Sequence, residues 1–290
     1  MTLLRRAWKR APLPLKRAAG RFKPRPDLVE LVDADAAQAS PGAIPAQVLQ
    51  TAPSRSIHRE HAAAIYRFRD LNRDLSHRLF DQEQTDSYMA NAWGHHPILP
   101  VYERALFGQI KADIFRYCIV FDQGGYYLDI NKAIMQPLRD LHSAEDHALW
   151  SFEKNAAMVF PDPTVAGRLA HPEKLILQWG FGFSPQHPIL ELAIDRIVET
   201  SAYFGSREFN RILPTVVMFT GPGALTWAVR KYLSRRAPSG VAQHPPDFAE
   251  TGITRLPKSD IAFQGAKHYS KFKHHRVLRD ELEAEKGALT

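Results

Sequence analysis

The sequence predicts an α/β domain in which helices flank a sheet. From residue 44 onward, short apolar and β-branched runs alternate with longer segments of helical periodicity. The chain has 290 residues, of which 44% are hydrophobic, so it can bury one large core. Two consecutive glycines, Gly124 and Gly125, separate a helical pattern from a strand-forming run, as expected where a helix returns to a sheet.

The first elements follow the rhythm of a βαβ arrangement. Residues 44–51 are expected to form the first strand, Ile57–Phe68 a helix and Leu75–Phe80 the second strand. Two more helices are predicted over Gln84–Trp93 and from Pro97 to about residue 108, because proline suits the first turn of a helix.

The central stretch, residues 111–133, is predicted to be a helix, a glycine turn and a strand. Apolar residues recur at three- and four-residue spacing in its helical half, at Ile114, Tyr117, Cys118 and Phe121. Glycine accepts the left-handed conformation that closes a helix. The chain can therefore reverse at once and enter a strand over Tyr126–Ile130.

Four polar side chains of this stretch are the candidate site. Asp129 and Asn131 are two residues apart, so on a strand their oxygen atoms would share one face near the strand's carboxyl end, where open α/β sheets bind ligands. Asp113 and Arg116 are three apart and share a face of the preceding helix. A buried salt bridge alone would explain that pair, but its conjunction with the glycine turn and the D-x-N strand end favours a ligand site.

The remainder of the chain continues the alternation of strands and helices. A hydroxyl at Thr220, before Gly221-Pro222-Gly223, is expected to cap the helix that follows it. We predict strands over His147–Phe152, Leu175–Ser184 and Ser259–Phe263, and helices from Pro188 to about Tyr203 and over Ala224–Leu233.

The basic character of the chain belongs to its first 26 residues. The whole chain has 38 Lys and Arg against 31 Asp and Glu, but nine of the basic residues and none of the acidic ones lie in residues 1–26. The remaining 29 basic and 31 acidic residues give a net charge of −2. We therefore divide the chain into a basic tail and linker (1–42), one folded domain (43–275) and a charged carboxyl-terminal tail (276–290).

Residues 1–26 combine basic and apolar side chains, so an anionic membrane surface is one expected partner. A disordered tail without a partner is an equal alternative. A nucleic-acid binder is a third alternative, but the net negative charge of residues 27–290 argues against it. We therefore expect no nucleic-acid partner. Cys118 has no second cysteine to pair with, and no apolar run reaches the length of a bilayer span. The expected location is cytoplasmic, peripheral at the inner face of a membrane.

Several motifs, in order, resemble glycosyltransferase family 32, the DXD-containing sugar-nucleotide transferases that include initiating alpha-1,6-mannosyltransferases and capsular polysaccharide synthesis transferases. The strongest are Ala112-Asp113-Ile114-Phe115-Arg116-Tyr117 and Gly124-Gly125-Tyr126-Tyr127-Leu128-Asp129, similar to SD-x-x-RY and GG-x-Y-x-D-x-D. Weaker matches are residues 44–51 to IP-x-x-I-x-QT, Gln178-Trp179 with His187-Pro188 to QW…HP, and residues 220–226 to TGPG-x-x-T.

The resemblance implies a GT-A type fold, with a mixed, mostly parallel sheet between helices. It implies a retaining hexosyltransferase that moves a sugar from a nucleoside diphosphate donor to a glycan, polysaccharide or lipid-linked glycan acceptor with Mn²⁺ or Mg²⁺. The implied catalytic residues are Asp113, Arg116 and Asp129. Donor binding is implied for those three and for Gln50, Thr51 and Tyr127.

The chain departs from the family pattern at the implied metal ligands. Asp129, Asn131 and His268 are the candidate ligands, but Asn131 replaces the second aspartate and removes one negative charge. His268 is not followed by G-S-W. Trp179 offers an aromatic face to an acceptor sugar, with core packing as the alternative role. Asn131 also motivates a second hypothesis, a catalytically inactive sugar-nucleotide or glycan-binding protein.

Overall fold

The computed structural model describes residues 27–37, 41–154, 160, 162–235, 241–242, 248, 252–253, 255–259 and 269–280. The helices and strands, in chain order, are β1 (Leu28–Glu30), β2 (Gln47–Thr51), β3 (Ser56–His58), α1 (Arg59–Leu71), β4 (Ser76–Phe80), α2 (Gln82–Trp93), α3 (Ile98–Arg104), α4 (Gly108–Gln123), β5 (Gly125–Leu128), β6 (Ala133–Ile134), β7 (Ala148–Leu149), β8 (Gly180–Phe183), α5 (Pro188–Gly205), α6 (Ile212–Phe219), α7 (Pro222–Arg235), β9 (Val241–Ala242) and β10 (Gly252–Ile253).

A six-stranded sheet in the order β4-β2-β5-β8-β7-β9 forms the centre of the fold. Strands β4, β2 and β5 are parallel to one another, and β7 is parallel to β9. Strand β8 is antiparallel to both of its neighbours. Three of the five neighbouring pairs are therefore parallel. The predicted α/β class, with a mixed and mostly parallel sheet, is confirmed.

The sheet separates two hydrophobic cores, because successive side chains of a strand point to opposite faces. Leu49 and Tyr127 point into the core that α2 to α7 cover. Their neighbours Val48 and Tyr126 point into the second core, which α1 covers. Helices thus pack on both faces and leave the strand ends accessible.

The glycine turn connects α4 directly to β5. Gly124 has φ 64° and Gly125 has φ 100°, both in the left-handed region that favours glycine. A Cβ on Gly125 would lie 2.8 Å from the backbone oxygen of Gln47 on the neighbouring strand. Because the chain reverses within these two residues, the amino-terminal end of α4 lies at the same end of the sheet as the carboxyl end of β5.

Several predicted bounds were wrong, and one of them concerns the site. Strand β5 ends at Leu128, so Asp129 and Asn131 lie in a turn and not on the strand. A hydrogen bond of 2.9 Å from the Lys132 amide to the Asp129 carbonyl oxygen closes this turn. Helix α3 ends at Arg104, and α6 was not predicted, because it is a short apolar run that contains a proline. Of the predicted strand Ser259–Phe263, Ser259 is not in a strand and the remainder lies outside the described residues.

Both ends of the folded part extend beyond the predicted domain bounds. The segment expected to be a linker includes β1, which pairs with β3, and Leu31 is fully buried. Asp33 and Asp35 of the same segment form ion pairs of 2.6 Å with arginines of the body. Near the other end, Val277 and Leu278, expected in the tail, are completely buried.

We expect His77 on β4 to make the stability of the fold depend on pH. Burial, and the nearby charge of Arg69, lower the pKa of His77 to about 4, against an ordinary value near 6.5. Because the unfolded chain binds the proton more tightly, stability should fall as the pH drops from about 6.5 to about 4, by at most about 3 kcal/mol.

Urea denaturation between pH 7.5 and pH 4 tests this expectation. The variant His77→Gln should lose less stability over that range than the wild type does. It should not lose all of the pH dependence, because burial also lowers the pKa of His61 and His142. Parallel pH profiles of the wild type and the variant would contradict the assignment to His77.

Candidate active site

Three functional side chains meet at the carboxyl end of β5, beside α4. Arg116 is at the centre of the group and is almost completely buried, as is Asp113. Arg116 Nη2 lies 3.1 Å from Asp113 Oδ1 and 3.2 Å from Asp129 Oδ1. One guanidinium therefore joins a carboxylate of the helix to a carboxylate of the turn after β5.

The orientation of Arg116 is held by two further groups. Its Nη1 donates to the backbone oxygen of Gln178 at 3.3 Å, and its Cζ lies 4.5 Å from the centroid of the Tyr127 ring. Burial alone would lower the pKa of Arg116, but the charges around it, with Asp129 first, outweigh burial and raise the pKa. Arg116 therefore remains protonated and gives the site a permanent positive charge.

Asp113 is held by side chains from α4 and from the turn before α7. The Thr220 hydroxyl donates to Asp113 Oδ2 at 2.8 Å, and the Gln109 amide donates to Oδ1 at 3.3 Å. Burial raises the pKa of Asp113 to about 6, although Arg116 opposes the rise. These contacts fix the carboxylate in position beside Arg116.

Thr220 differs from its predicted role as a helix cap. Its hydroxyl binds the carboxylate of Asp113, and its backbone oxygen accepts a bond of 2.9 Å from the Gln178 side chain. Gln178 also donates to the Tyr117 hydroxyl at 2.7 Å. The QW and TGPG motifs are therefore joined to the site helix through hydrogen bonds, which motif order alone did not predict.

The turn after β5 holds the two candidate metal ligands. Asp129 accepts a hydrogen bond of 3.2 Å from the Tyr127 hydroxyl, and its side chain is 25% exposed. Asn131 Oδ1 is buried and has no hydrogen-bond partner in the described part of the chain. A buried carbonyl oxygen without a donor is free to bind a cation.

These two side chains fit a divalent cation whose other ligands are diphosphate and water. They supply one carboxylate and one amide oxygen, and Mg²⁺-type cations are often held by one or two carboxylates together with substrate phosphates. Among the residues that the structure describes, no group of three or more His, Cys, Asp or Glu side chains could hold a metal ion alone. His268, the third predicted ligand, lies outside the described residues.

Gln50 and Thr51 end strand β2 next to this turn. The Gln50 amide donates to the Leu128 backbone oxygen at 3.3 Å, while its own buried Oε1 has no partner among the described residues. Thr51 donates from its hydroxyl to the Phe80 backbone oxygen at 3.0 Å. Both residues therefore lie at the carboxyl end of β2, and both side chains connect β2 to its neighbouring strands.

Trp179 lies beside Asp129 but is mostly packed in the core. Its backbone oxygen accepts from the Asp129 amide at 2.8 Å, its ring is only 9% exposed, and the Phe248 ring lies 6.1 Å away. The ammonium of Lys132 lies 5.7 Å from the centroid of the Trp179 ring. Lys132 was not predicted as a site residue, although it directly follows the candidate ligand Asn131 in the sequence.

Part of the chain is similar to known proteins. Residues 58–148 match the family described as "Glycosyltransferase sugar-binding region containing DXD motif", a range that includes Asp113, Arg116 and Asp129. A solved structure titled "PaToxG Glycosyltransferase" superposes with a TM-score of 0.48 at 13% identity, over 66% of this chain and 70% of that chain.

Curated relatives come from two fungi. Initiation-specific alpha-1,6-mannosyltransferases of Schizosaccharomyces pombe and Candida albicans are each 26% identical to this chain, over 55% and 57% of it and 41% and 46% of their own lengths. Inositol phosphoceramide mannosyltransferase 2 of Schizosaccharomyces pombe is 24% identical over 69% of this chain and 48% of its own length. The matches span less than half of each relative. Within this chain, residues 58–148 are therefore similar to the sugar-binding region of the DXD-containing glycosyltransferases.

Proposed function

We propose that this protein is a retaining glycosyltransferase that moves a hexose from a nucleoside diphosphate donor to a glycan, polysaccharide or lipid-linked glycan. The observation that carries the proposal is that the buried Asp113 and Arg116 contact the partly exposed Asp129, inside the matched sugar-binding region. Such a site presents fixed acceptors for sugar hydroxyls next to a permanent cation.

The proposed donor contacts follow from what each side chain can still bind. Asp113 is held rigidly by Thr220 and Arg116, so its carboxylate can accept hydrogen bonds from hydroxyls of the donor sugar without reorganising. The Tyr127 ring, fixed by Arg116, is the proposed contact of the nucleoside. Gln50 keeps an unused amide oxygen at the end of β2, which suits a donor group such as a base or ribose hydroxyl.

The proposed metal site is Asp129 with Asn131, and His268 is the proposed third ligand. A bound Mn²⁺ or Mg²⁺ would act as a Lewis acid on the diphosphate as the leaving group gains charge. Asn131 contributes no charge to this site, so the metal should be held more weakly than by two carboxylates. Lys132, the next residue, adds a positive charge near Asp129. This charge can help to neutralise the negative charge of the diphosphate.

Trp179 is the proposed acceptor contact, through the small part of this residue that remains exposed. Two of the relatives are named as initiation-specific mannosyltransferases, and the third is named as an inositol phosphoceramide mannosyltransferase. Mannose is therefore the first sugar to test, and a lipid with a polyol headgroup is a natural acceptor to include. We propose a cytoplasmic protein, peripheral at the inner face of a membrane, that takes part in polysaccharide or glycolipid synthesis.

One stretch is long and apolar enough to cross a bilayer by length and composition. It runs from Ile212 to Arg235 and comprises α6 and α7. In the structure 67% of its most apolar window is buried inside the protein. A buried core explains that hydropathy, because helices of soluble cores pass the same criterion.

A thermal-shift screen tests donor binding. The purified protein is heated with UDP- and GDP-linked sugars, each with Mn²⁺ and with EDTA, because a ligand that binds only the folded state raises the melting temperature. We expect at least one nucleotide sugar to raise it, and more so with Mn²⁺. Release of free nucleotide from that donor then tests transfer or hydrolysis. No shift and no release with any donor would refute the proposed function.

We expect Asn131→Asp to strengthen the binding of Mn²⁺. The substitution restores a second carboxylate, so the Mn²⁺ concentration for half-maximal nucleotide binding should fall, by roughly tenfold if the added charge contributes about 1.4 kcal/mol. Isothermal titration of the protein with Mn²⁺ and a nucleoside diphosphate measures it. Donor binding without turnover, unchanged in Asn131→Asp, would instead favour the catalytically inactive binding protein.

A further inference from the structure

Helix α6 exposes an apolar face to solvent. The face consists of Leu213, Pro214, Val217 and Met218, of which Leu213 is 38% and Met218 is 48% exposed. The opposite side of the helix, with Ile212, Val216 and Phe219, is buried in the core. A surface helix normally places polar residues on its outer side, so α6 is apolar where water would favour polar groups.

Exposed cations border this α6 face. Arg207 and Arg211 precede the helix, and Lys271 and Lys273 come from a segment that packs against it. Within the described residues, none of these four side chains forms an ion pair. Residues 203–218 and 269–280 together contain six Lys or Arg and two acidic residues.

The two segments form one continuous surface. Phe209 and His275 exchange backbone hydrogen bonds of 3.0 and 3.2 Å, which join the end of α5 to the carboxyl-terminal segment. Tyr203 is 52% exposed beside them, with the Arg207 guanidinium 3.9 Å from its ring centroid. Tyrosine and arginine are side chains that combine an apolar body with a polar end, as a lipid–water boundary requires.

We propose that the α6 face docks the protein onto an anionic lipid bilayer. Leu213 and Met218 would enter the boundary between headgroups and acyl chains, while the bordering cations contact lipid phosphates. Apolar side chains on a helix flanked by Lys and Arg are the composition of interfacial membrane helices. A second copy of this chain is a poorer partner, because a two-fold interface would bring the same cations together.

Docking at this face would bring the candidate site close to the membrane. Helix α6 ends at Phe219, and the next residue, Thr220, donates a hydrogen bond to Asp113. A lipid-linked acceptor held in the same bilayer would then reach the site without leaving the membrane. The docking itself does not depend on the transfer reaction, so it can be tested whether or not the proposed activity is found.

Vesicle co-sedimentation of the full chain tests the proposal. Vesicles of phosphatidylcholine alone are compared with vesicles that contain 30% phosphatidylserine, at low and high salt. We expect binding to the anionic vesicles that weakens with salt. The double variant Leu213→Glu/Met218→Glu should bind at least about tenfold more weakly, because it removes apolar insertion and adds negative charge.

Two controls make the result specific to this face. Tyr66→Glu/Leu71→Glu changes two apolar side chains that are similarly exposed, 40% and 44%, on α1, and should bind vesicles like the wild type. Reversing the charges of Arg5, Arg6, Lys9 and Arg10 measures the contribution of the amino-terminal tail. Unchanged melting temperatures show that the variants are folded.

Three outcomes would overturn the proposal. The first is no binding of the wild type to anionic vesicles. The second is equal loss of binding in the α6 and α1 variants, or loss only when the tail is changed. The third is a wild-type dimer in light scattering that the α6 variant converts to a monomer without any effect on vesicle binding, which would assign the face to self-association.

Discussion

Replacing Asp129 by Asn is expected to abolish sugar transfer while the protein stays folded. Asp129 is the only carboxylate of the D-x-N turn, and Arg116 and the Tyr127 hydroxyl both contact its Oδ1. Asparagine keeps the size of the side chain but removes the negative charge that Arg116 contacts and that the proposed metal would share. Loss of such an electrostatic contact costs about 10²-fold to 10³-fold in rate, and loss of the metal costs more.

Nucleotide release from the active donor measures the effect, and Asp122→Asn is the matched control. Asp122 lies near the carboxyl end of α4, where its carboxylate accepts hydrogen bonds from Tyr88 and, at 2.9 Å, from Trp93. That variant should lose some stability but keep full transfer. Turnover of Asp129→Asn within about threefold of the wild type would remove Asp129 from the site.

Replacing Arg116 by Met is expected to lower the free energy of unfolding by about 3–5 kcal/mol, the cost of leaving buried charges without a partner. Arg116 and Asp113 are each 2% exposed, and Asp129 also depends on the same guanidinium. The variant should also lose donor binding, because Asp113 would then be protonated or displaced.

Urea denaturation near pH 7 measures the loss, with Arg73→Met as the control. Arg73 forms an ion pair of 3.0 Å with Asp70, but both side chains are largely exposed, so its loss should cost less than about 1 kcal/mol. The double variant Asp113→Asn/Arg116→Met should recover part of the stability, because it removes a carboxylate that had lost its partner. Equal losses in Arg116→Met and Arg73→Met would mean that the buried pair does not stabilise the fold.

The two variants separate the structural role of the site from its chemical role. Arg116 lies between two carboxylates, so its loss should affect folding and binding together. Asp129 is partly exposed, so its loss should affect the reaction more than the fold. The reverse pattern would require different roles for the two residues.

Much of the site could be predicted from local sequence. The helix, the glycine turn and the strand follow from spacing and from conformational preferences that each segment carries by itself. The pair Asp113 and Arg116 shares a helix face for the same reason. The end of β5 could not be predicted, because an aromatic and β-branched run does not show where its hydrogen-bonded neighbours stop.

Other features depend on residues far apart in the chain. Thr220 and Asp113 are 107 positions apart, and their hydrogen bond exists because α6 and α7 pack beside α4. The folded ends were also misjudged, since a segment rich in alanine and aspartate resembles a linker until arginines of the body pair with its aspartates.

The sequence by itself determined the α/β class, the turn that joins α4 to β5, and which side chains are candidates for the proposed sugar-nucleotide site. These are local properties, because backbone freedom and side-chain periodicity act over a few residues. Only the tertiary structure decided that one guanidinium joins two carboxylates, that Thr220 orients Asp113, and that α6 turns an apolar face outward. Those relations depend on which elements pack together, and packing brings into contact side chains that no local pattern relates.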